Sequence, residues 1–549
     1  MTQKTVGSFL FEYLYNKGAH HAFGIPGDFA LPTFRWLEES DIKLYTMTHE
    51  PSVGFAADGY ARRKGIGVAA VTYCVGGLNM LNSVAGAYAE KSPVLVISGG
   101  PSPADRIHDP LLHHKVRTFD TQRRIFEEVT CANTVLSEPT NAAEEIMRVV
   151  DTVMSECRPG YIEVPYDIVD MPIKEPVIFN TPAPVSDQEN LDVCLEEVLD
   201  ILSRAKQPVM IADIELHRHD LTDVALEIAE KFNIPIAATL LSKSVIAENH
   251  PMYIGIYAGG LSEPPVQDYV ENSDCVIMLG AFVSDVLFGM NTGSLKRKNT
   301  MLLNTDKTTI GHHNYERVLF KDILQALAKS KPSKHEFTNP NPMKDIKPLD
   351  DDELSDSLDA DAFFRIFGLA LPDNATIVAD TGDSLLGCVG LRTKSPKNFL
   401  SDAYYLSMGF GMPASIGAMV ANPESRVFTI IGDGAFQMTG IEASTAAKYK
   451  MNPVVIILNN DGYGTQRHII DGEFNNIQMW DYPKLTELLR YGTSHRVTTK
   501  GELAGALQSA NDDYDNMHII EVVIPKDSCT EPLKRMGEAL GKQRDKSKQ

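Results

Sequence analysis

Two apolar runs in the last third of the chain end in chemically committed residues. Val427 to Ile431 closes on Gly432-Asp433-Gly434, and Val454 to Leu458 closes on Asn459-Asn460, with a helical stretch between them. This order predicts a strand–helix–strand unit of a parallel sheet, since parallel neighbours require a crossover. Such a unit sets an acid and an amide side by side beyond the carboxyl ends of adjacent strands, where open α/β sheets hold ligands. Hard cations such as Mg²⁺ take oxygen ligands and commonly keep a phosphate among them, so Asp433 and the Asn460 amide oxygen suit a magnesium-bound diphosphate. Gly432 and Gly434 allow close backbone approach, and the N-terminus of the following helix favours an anion. Taken alone, Gly-Asp-Gly serves equally well as a tight turn; its pairing with Asn-Asn favours the cation.

Short β-branched runs alternate with helical stretches along nearly all 549 residues, which predicts an α/β fold of doubly wound parallel sheets. Segments rich in proline and polar residues at 174–187 and 329–352 read as linkers and divide the chain into residues 1–180, 190–330 and 350–549. The first and third segments look like copies of one unit. Val68 to Tyr73, Gly76-Gly77, a helix over Leu78 to Glu90, and Val94 to Ile97 ending at Ser98-Gly99-Gly100 follow the same order as 427–460. Generic βαβ construction gives the same order, so both readings stand at this point. The middle segment, with strands expected at Val209 to Ala212, Ile234 to Ala238, Cys275 to Leu279 and Met301 to Asn304, carries no complete phosphate motif and reads as largely architectural.

A net charge of −22 argues against nucleic acid as a partner, and no apolar stretch reaches membrane-spanning length. The N-terminus passes directly into the helical pattern of Phe9, Leu10, Tyr13 and Leu14 without a signal-like segment, so the cytoplasm is the expected compartment. Seven scattered cysteines without a Cys-x-x-Cys pair fit reduced, mostly buried small side chains. The polar end, 541–549, is expected to fray.

The spaced Gly-Asp-Gly and Asn-Asn pair resembles the metal and diphosphate motif of thiamine-diphosphate enzymes, which implies thiamine diphosphate and Mg²⁺ as cofactors and the Gly462 carbonyl as third metal ligand. The family also places a glutamate against the cofactor's pyrimidine. Thr48-His49-Glu50-Pro51, followed by Ala56-Ala57-Asp58-Gly59-Tyr60-Ala61, is similar to that segment and implies Glu50 as this residue. Within the family the chain resembles the 2-oxo acid decarboxylases, above all the phenylpyruvate and indolepyruvate type. Phe23-Gly24-Ile25-Pro26-Gly27-Asp28 looks like the segment whose Asp lines the reaction chamber, and His113-His114 looks like the paired histidines. Ala379 through Ser384 resembles the strand end beside the diphosphate, implying contacts from Thr381, Gly382 and Asp383. Ser407-Met408-Gly409 resembles the ledge on which Met408 bends the cofactor while the Leu406 carbonyl receives its amino group. The remaining implied cofactor contacts are Gly434, Ala435, Tyr463 and Gly464.

The reaction this resemblance implies is non-oxidative decarboxylation of a small-molecule 2-oxo acid to aldehyde and CO₂ through a cofactor-bound enamine, with Asp28, His113 and His114 as the nearest proton donors. The sequence departs from the pattern at one place: where many members carry a glutamate, Gly462-Tyr463-Gly464-Thr465-Gln466 places Gln466, an amide that cannot deliver a proton. Asp285, in Val283-Ser284-Asp285, resembles a middle-domain acid that substitutes in some relatives. Val286 and Leu385 stand where pyruvate specialists carry larger rings, and with Thr465 and Ile469 they imply a pocket for phenylpyruvate or indolepyruvate. A carboligase of the same family and an inactive cofactor-binding protein are the alternative readings. Because Glu50 and Asp433 fall in different segments and relatives build the site between chains, a homodimer or homotetramer is expected.

Overall fold

The computed structural model describes residues 4–174, 184–286 and 288–547. Most of the linker expected at 174–187 lies outside them. Three β-sheets organise the described residues. The first contains β1 (His21–Gly24), β2 (Lys43–Thr46), β3 (Gly67–Val71), β4 (Val94–Gly100), β5 (Ala132–Val135) and β6 (Gly160–Pro165). The second contains β7 (Pro208–Ala212), β8 (Ile236–Ala238), β9 (Tyr253–Ile256), β10 (Cys275–Leu279), β11 (Thr300–Leu303), β12 (Thr308–Ile310) and β13 (His313–Tyr315). The third contains β14 (Ala375–Ala379), β15 (Phe399–Ser401), β16 (Arg426–Gly432), β17 (Val454–Asn459), β18 (Thr493–Val497) and β19 (His518–Val523).

The strand orders are β2-β1-β3-β4-β6-β5 in the first sheet and β15-β14-β16-β17-β19-β18 in the third, one topology written twice, with every pair parallel. The central strands are buried on both faces, which is why they read as unbroken apolar runs rather than alternating ones. The middle sheet departs from the all-parallel expectation: β11–β12 and β12–β13 are antiparallel, because 308–315 is too short for a crossover and turns back as hairpins.

The expected helix over Leu78 to Glu90 is two helices, Val75–Asn79 and Leu81–Ala89, the first held at its start by a tight turn in which Val75 N–H bonds Tyr73 C=O at 2.7 Å. The expected tail at 541–549 is instead helical as far as Ser547, continuing the helix Glu531–Ser547 through Lys, Gln and Arg residues that propagate helices readily. All seven cysteines are free, and five of them are buried. No described helix is long and apolar enough to cross a membrane.

The first and third units meet through the helices Glu50–Lys64 and Gly411–Ala421. Small residues at the crossing allow backbone-to-backbone packing: a Cβ on Gly59 would lie 2.5 Å from the Ala414 carbonyl oxygen, and one on Gly417 would lie 2.1 Å from that of Ala56. Around this seam one apolar core joins both units, with Phe55 edge-on to Phe410 at 5.8 Å between ring centroids. Burying side chains of this kind contributes about 1.5–3 kcal/mol each. The helix that begins at Glu50 is therefore fixed along its length, and its first residue is presented at a defined place.

Candidate active site

Asp433 is wholly buried at the junction of β16 and the helix Asp433–Thr439. Its Oδ1 accepts the Gly434 N–H at 2.7 Å and its Oδ2 accepts the Gly462 N–H at 2.9 Å, so the lone pairs of the two oxygens are not all taken. Burial pushes this carboxyl up to about 6, against the downward pull of those amides. A desolvated carboxylate with spare lone pairs, beside an amide side chain and a backbone carbonyl, is the donor chemistry a hard cation requires.

The loop after β17 is shaped for close approach. Gly462 has φ +125°, and a Cβ there would sit 2.2 Å from the Asn475 carbonyl oxygen, so no larger residue fits. A Cβ on Gly464 would meet the Asn460 amide nitrogen at 2.2 Å. Arg467 holds this loop from behind, donating to the Asn460 carbonyl at 3.0 Å and the Asn475 carbonyl at 3.3 Å, and to that of Asp461 as well. The sequence reading missed Arg467, since most of its hydrogen-bond partners are backbone carbonyls that no side-chain motif reveals. Arg467→Ala is expected to weaken magnesium-dependent binding of thiamine diphosphate about 10–100-fold, the usual cost of losing a group that orients metal ligands; titration calorimetry at fixed Mg²⁺ measures it.

Asp380 ends β14 wholly buried, and it accepts N–H bonds from Thr381 at 2.9 Å, Gly409 at 3.1 Å and Gly411 at 2.7 Å. Burial pushes it up to about 6 while the three amides pull it down. It ties β14 to the loop that carries Met408. Leu406 in that loop has φ +59°, a left-handed conformation unusual for leucine. The Asp383 carboxylate is taken by the Thr530 N–H at 3.0 Å and the Thr530 hydroxyl.

These elements enclose a cavity of about 290 Å³. Thr381, Gly382, Asp383, Leu406 and Met408 line it together with Asp433, Gly434, Ala435, Asn460, Gly462, Tyr463 and Gly464. Val286, Leu385, Thr465, Gln466 and Ile469 complete it, so that all expected pocket residues and every expected cofactor contact except Glu50 converge there. The middle segment is more than architectural, because Leu240, Leu261 and Met290 stand in the wall beside Val286. Met536 and Leu540 of the C-terminal helix also line it. These positions are dispersed in sequence and lack any local signal. Asp285 is exposed and outside the lining, with its carboxylate accepting the Val286 N–H at 2.9 Å. A larger cleft of about 530 Å³ beside 341–346 contains none of the expected residues.

Glu50, Asp28, His113 and His114 lie apart from this cavity. Glu50 opens its helix and accepts the Asn79 amide N–H at 2.7 Å, an orienting partner the sequence reading did not name. Gly76 faces it, and a Cβ there would come within 3.8 Å of Glu50 Oε1. Asp28 binds His113 Nε2, with His114 Nδ1 at 3.8 Å and the Phe29 ring stacked on His113 at 4.9 Å. Partial burial raises the Asp28 carboxyl, but His113, the Phe29 amide and the two imidazoles outweigh it and hold the group below the usual carboxylate range.

Family comparison covers the same three units. Residues 4–122 match the thiamine pyrophosphate enzyme N-terminal TPP binding domain, residues 195–329 the central domain, and residues 380–522 the C-terminal TPP binding domain. The chain is 35% identical to indole-3-pyruvate decarboxylase of Azospirillum brasilense, over 96% of both chains. It is 31% identical to pyruvate decarboxylase 4 of Arabidopsis thaliana, covering 98% of this chain and 91% of the relative, and 30% identical to pyruvate decarboxylase 2 of Nicotiana tabacum, covering 98% and 94%. With a desolvated carboxylate and glycine-lined walls suited to a metal-bound diphosphate at its centre, the chain belongs to the family of thiamine-diphosphate-dependent 2-oxo acid decarboxylases.

Proposed function

We propose that the chain decarboxylates a bulky 2-oxo acid, phenylpyruvate or indolepyruvate, to the aldehyde and CO₂. The observation that carries this is the aliphatic character of the cavity beyond Asn460, where Val286, Leu385, Met290 and Ile469 leave space that a planar ring can fill. Bound thiamine diphosphate supplies the carbon nucleophile and the electron sink for loss of CO₂. The chain's own residues would do the rest: Asp433, the Asn460 amide oxygen and the Gly462 carbonyl would hold Mg²⁺, Met408 and Leu406 would support the cofactor, and Glu50 would meet its pyrimidine. Asp28, hydrogen-bonded to His113 and 3.8 Å from His114 Nδ1, forms with the two histidines the group that handles the proton replacing CO₂. Kinetics over pyruvate, branched, phenyl and indolyl 2-oxo acids test the substrate assignment. The expected result is a kcat/KM for an aryl substrate above that for pyruvate by about tenfold or more, one or two buried methylene equivalents; pyruvate as best substrate would overturn it.

Gln466 favours a second reading. It lines the cavity where a carboxylic acid would protonate the reacting carbon, and an amide leaves that carbon available to an aldehyde. A hydroxyketone exceeding the aldehyde from one 2-oxo acid would establish carboligation as the main activity.

We further propose a homodimer or homotetramer in the cytoplasm, with domains at 1–180, 190–330 and 350–549. The separation of Glu50 and the Asp28–His113–His114 set from the cavity supports completion of each site by a second chain. So does the exposure of Leu111, at 94%, and Ile107, at 80%, beside those histidines. Light scattering should give at least twice the chain mass; an active monomer contradicts it.

A further inference from the structure

The loop 402–409 carries both Leu406 and Met408 into the cavity but forms no regular secondary structure, so something other than a ladder must hold it. Asp380 grips its cavity end. The opposite face rests on a buried group of side chains contributed largely by the first unit. Glu90 Oε1 accepts the Tyr404 N–H at 2.6 Å and the Tyr405 N–H at 3.0 Å. Asp402 Oδ2 accepts the Ser407 N–H at 2.8 Å, and the Asn82 amide donates to the Ser407 hydroxyl at 2.7 Å. Arg62 donates to the Ser401 carbonyl at 2.7 Å, to both oxygens of Asp58 at 2.7 and 2.8 Å, and lies 2.9 Å from Glu90 Oε2. Glu90, Asp402, Asp58 and Arg62 are 0%, 2%, 2% and 6% exposed.

The charges in this group do not balance. Three carboxyls face one guanidinium directly, and Arg218 from the middle unit is taken up by the backbone carbonyls of Lys91 at 2.6 Å and Glu90 at 3.4 Å and by His217 Nδ1 at 3.0 Å. Excess negative charge without water costs several kcal/mol, so a proton is held. Asp402 is where it sits. Its Oδ1 and Glu90 Oε2 are both buried without a hydrogen-bond donor, the signature of a shared proton, and burial, then the charge of Glu90, push the Asp402 carboxyl well above the ordinary range. Both oxygens of Asp58 are engaged by Arg62.

We propose that Asp402 and Glu90 are positioning residues: a hydrogen-bonded carboxyl pair that clamps the loop 402–409 from behind and thereby sets where Leu406 and Met408 stand in the cavity. The inference rests on the cavity being the cofactor site. Protonated Asp402 donates to Glu90 and accepts from Ser407, which is what a side-chain amide does. Asp402→Asn therefore preserves the clamp, whereas Asp402→Ala removes both bonds and lets Leu406 relax from its left-handed conformation.

The test compares both variants as full-length protein, measuring thiamine diphosphate affinity with Mg²⁺ by calorimetry, kcat and KM separately, and the melting temperature without cofactor. Asp402→Ala should weaken cofactor binding at least about tenfold and lower kcat about 10- to 100-fold, the scale expected when a reacting geometry shifts by an ångström, with KM changed little. Asp402→Asn should stay within about threefold of wild type in all of these, as an uncharged donor replacing an uncharged donor. Asp402→Ala at wild-type affinity and kcat overturns the proposal, as does Asp402→Asn being equally damaged, because the ionised form would then be the one required. Should Asp402→Ala not fold, Asp402→Ser keeps an acceptor for Ser407 without the reach to Glu90 and is expected to show the same losses; wild-type behaviour of that variant overturns the clamp. Absence of thiamine diphosphate binding by the wild type would instead sink the cofactor reading, and calorimetry separates the two failures.

Discussion

Glu50→Gln is expected to abolish almost all turnover while leaving the protein folded and loaded. Glutamine has the shape of glutamate, and its carbonyl oxygen still accepts the Asn79 amide at the 2.7 Å position, so the start of the helix Glu50–Lys64 is unchanged. What is lost is the negative charge and the ability to hold a proton at Oε1, the oxygen facing Gly76. General acid–base contributions of this kind are worth about 10²–10⁴-fold, and that is the expected fall in kcat. Affinity for thiamine diphosphate should change by less than about tenfold, because one hydrogen bond of several is altered rather than removed. The deciding measurements are kcat, the cofactor dissociation constant, and the rate at which the C2 hydrogen of bound cofactor exchanges with deuterium, which should slow in parallel with kcat. Retained turnover would remove Glu50 from the chemistry. Lost turnover with retained binding would also exclude an inactive binding protein, since a dead wild type has no activity to lose.

What could be read from the sequence, and what could not, divides by the range of the interactions. The β16 and β17 runs, the turn at Asp433 and the loop at Gly462 are each encoded in fewer than about ten consecutive residues, and such signals survive without knowledge of packing. The shared strand order of the first and third sheets was visible as a repeated sequence of elements, although only the pairing of β6 between β4 and β5, and of β19 between β17 and β18, distinguishes repetition from generic construction. The cavity wall of Leu240, Leu261 and Met290 was illegible, because a leucine that lines a pocket and one that fills a core have the same local pattern. Asp380 stood in plain view beside Thr381, but its role depends on amides 29 and 31 residues away. The Glu90–Asp402 pair, 312 positions apart by their numbering, has no sequence signature at all. Such long-range partners are what convert a motif into a site with fixed geometry, and they are where sequence reasoning ends.

Asp433→Ala should eliminate magnesium-dependent cofactor binding, and its combination with Glu50→Gln decides how the site is assembled. Removing the carboxylate deletes one metal ligand and strands the Gly434 and Gly462 N–H groups, at a cost of about 1–3 kcal/mol each if water cannot replace it. Cofactor affinity should fall more than about 100-fold, exceeding the penalty for losing a group that merely orients a ligand. Cofactor at 100 times its dissociation constant stabilises the wild type by about 2.7 kcal/mol, and chelation of Mg²⁺ or the Asp433→Ala substitution should erase that gain. Each variant alone is then inactive, one at each end of the cofactor. If Glu50 and Asp433 of one chain served the same site, mixing the two variants would restore nothing. If each site takes Glu50 from one chain and Asp433 from its partner, a mixed dimer contains one site with both residues intact and one with neither. Random reassembly of equal amounts places half the chains in mixed dimers with half their sites whole, so about a quarter of wild-type activity should return. Recovery near that level, from two preparations separately inactive, requires a shared site; no recovery under conditions where subunits demonstrably exchange would mean that each chain closes its own.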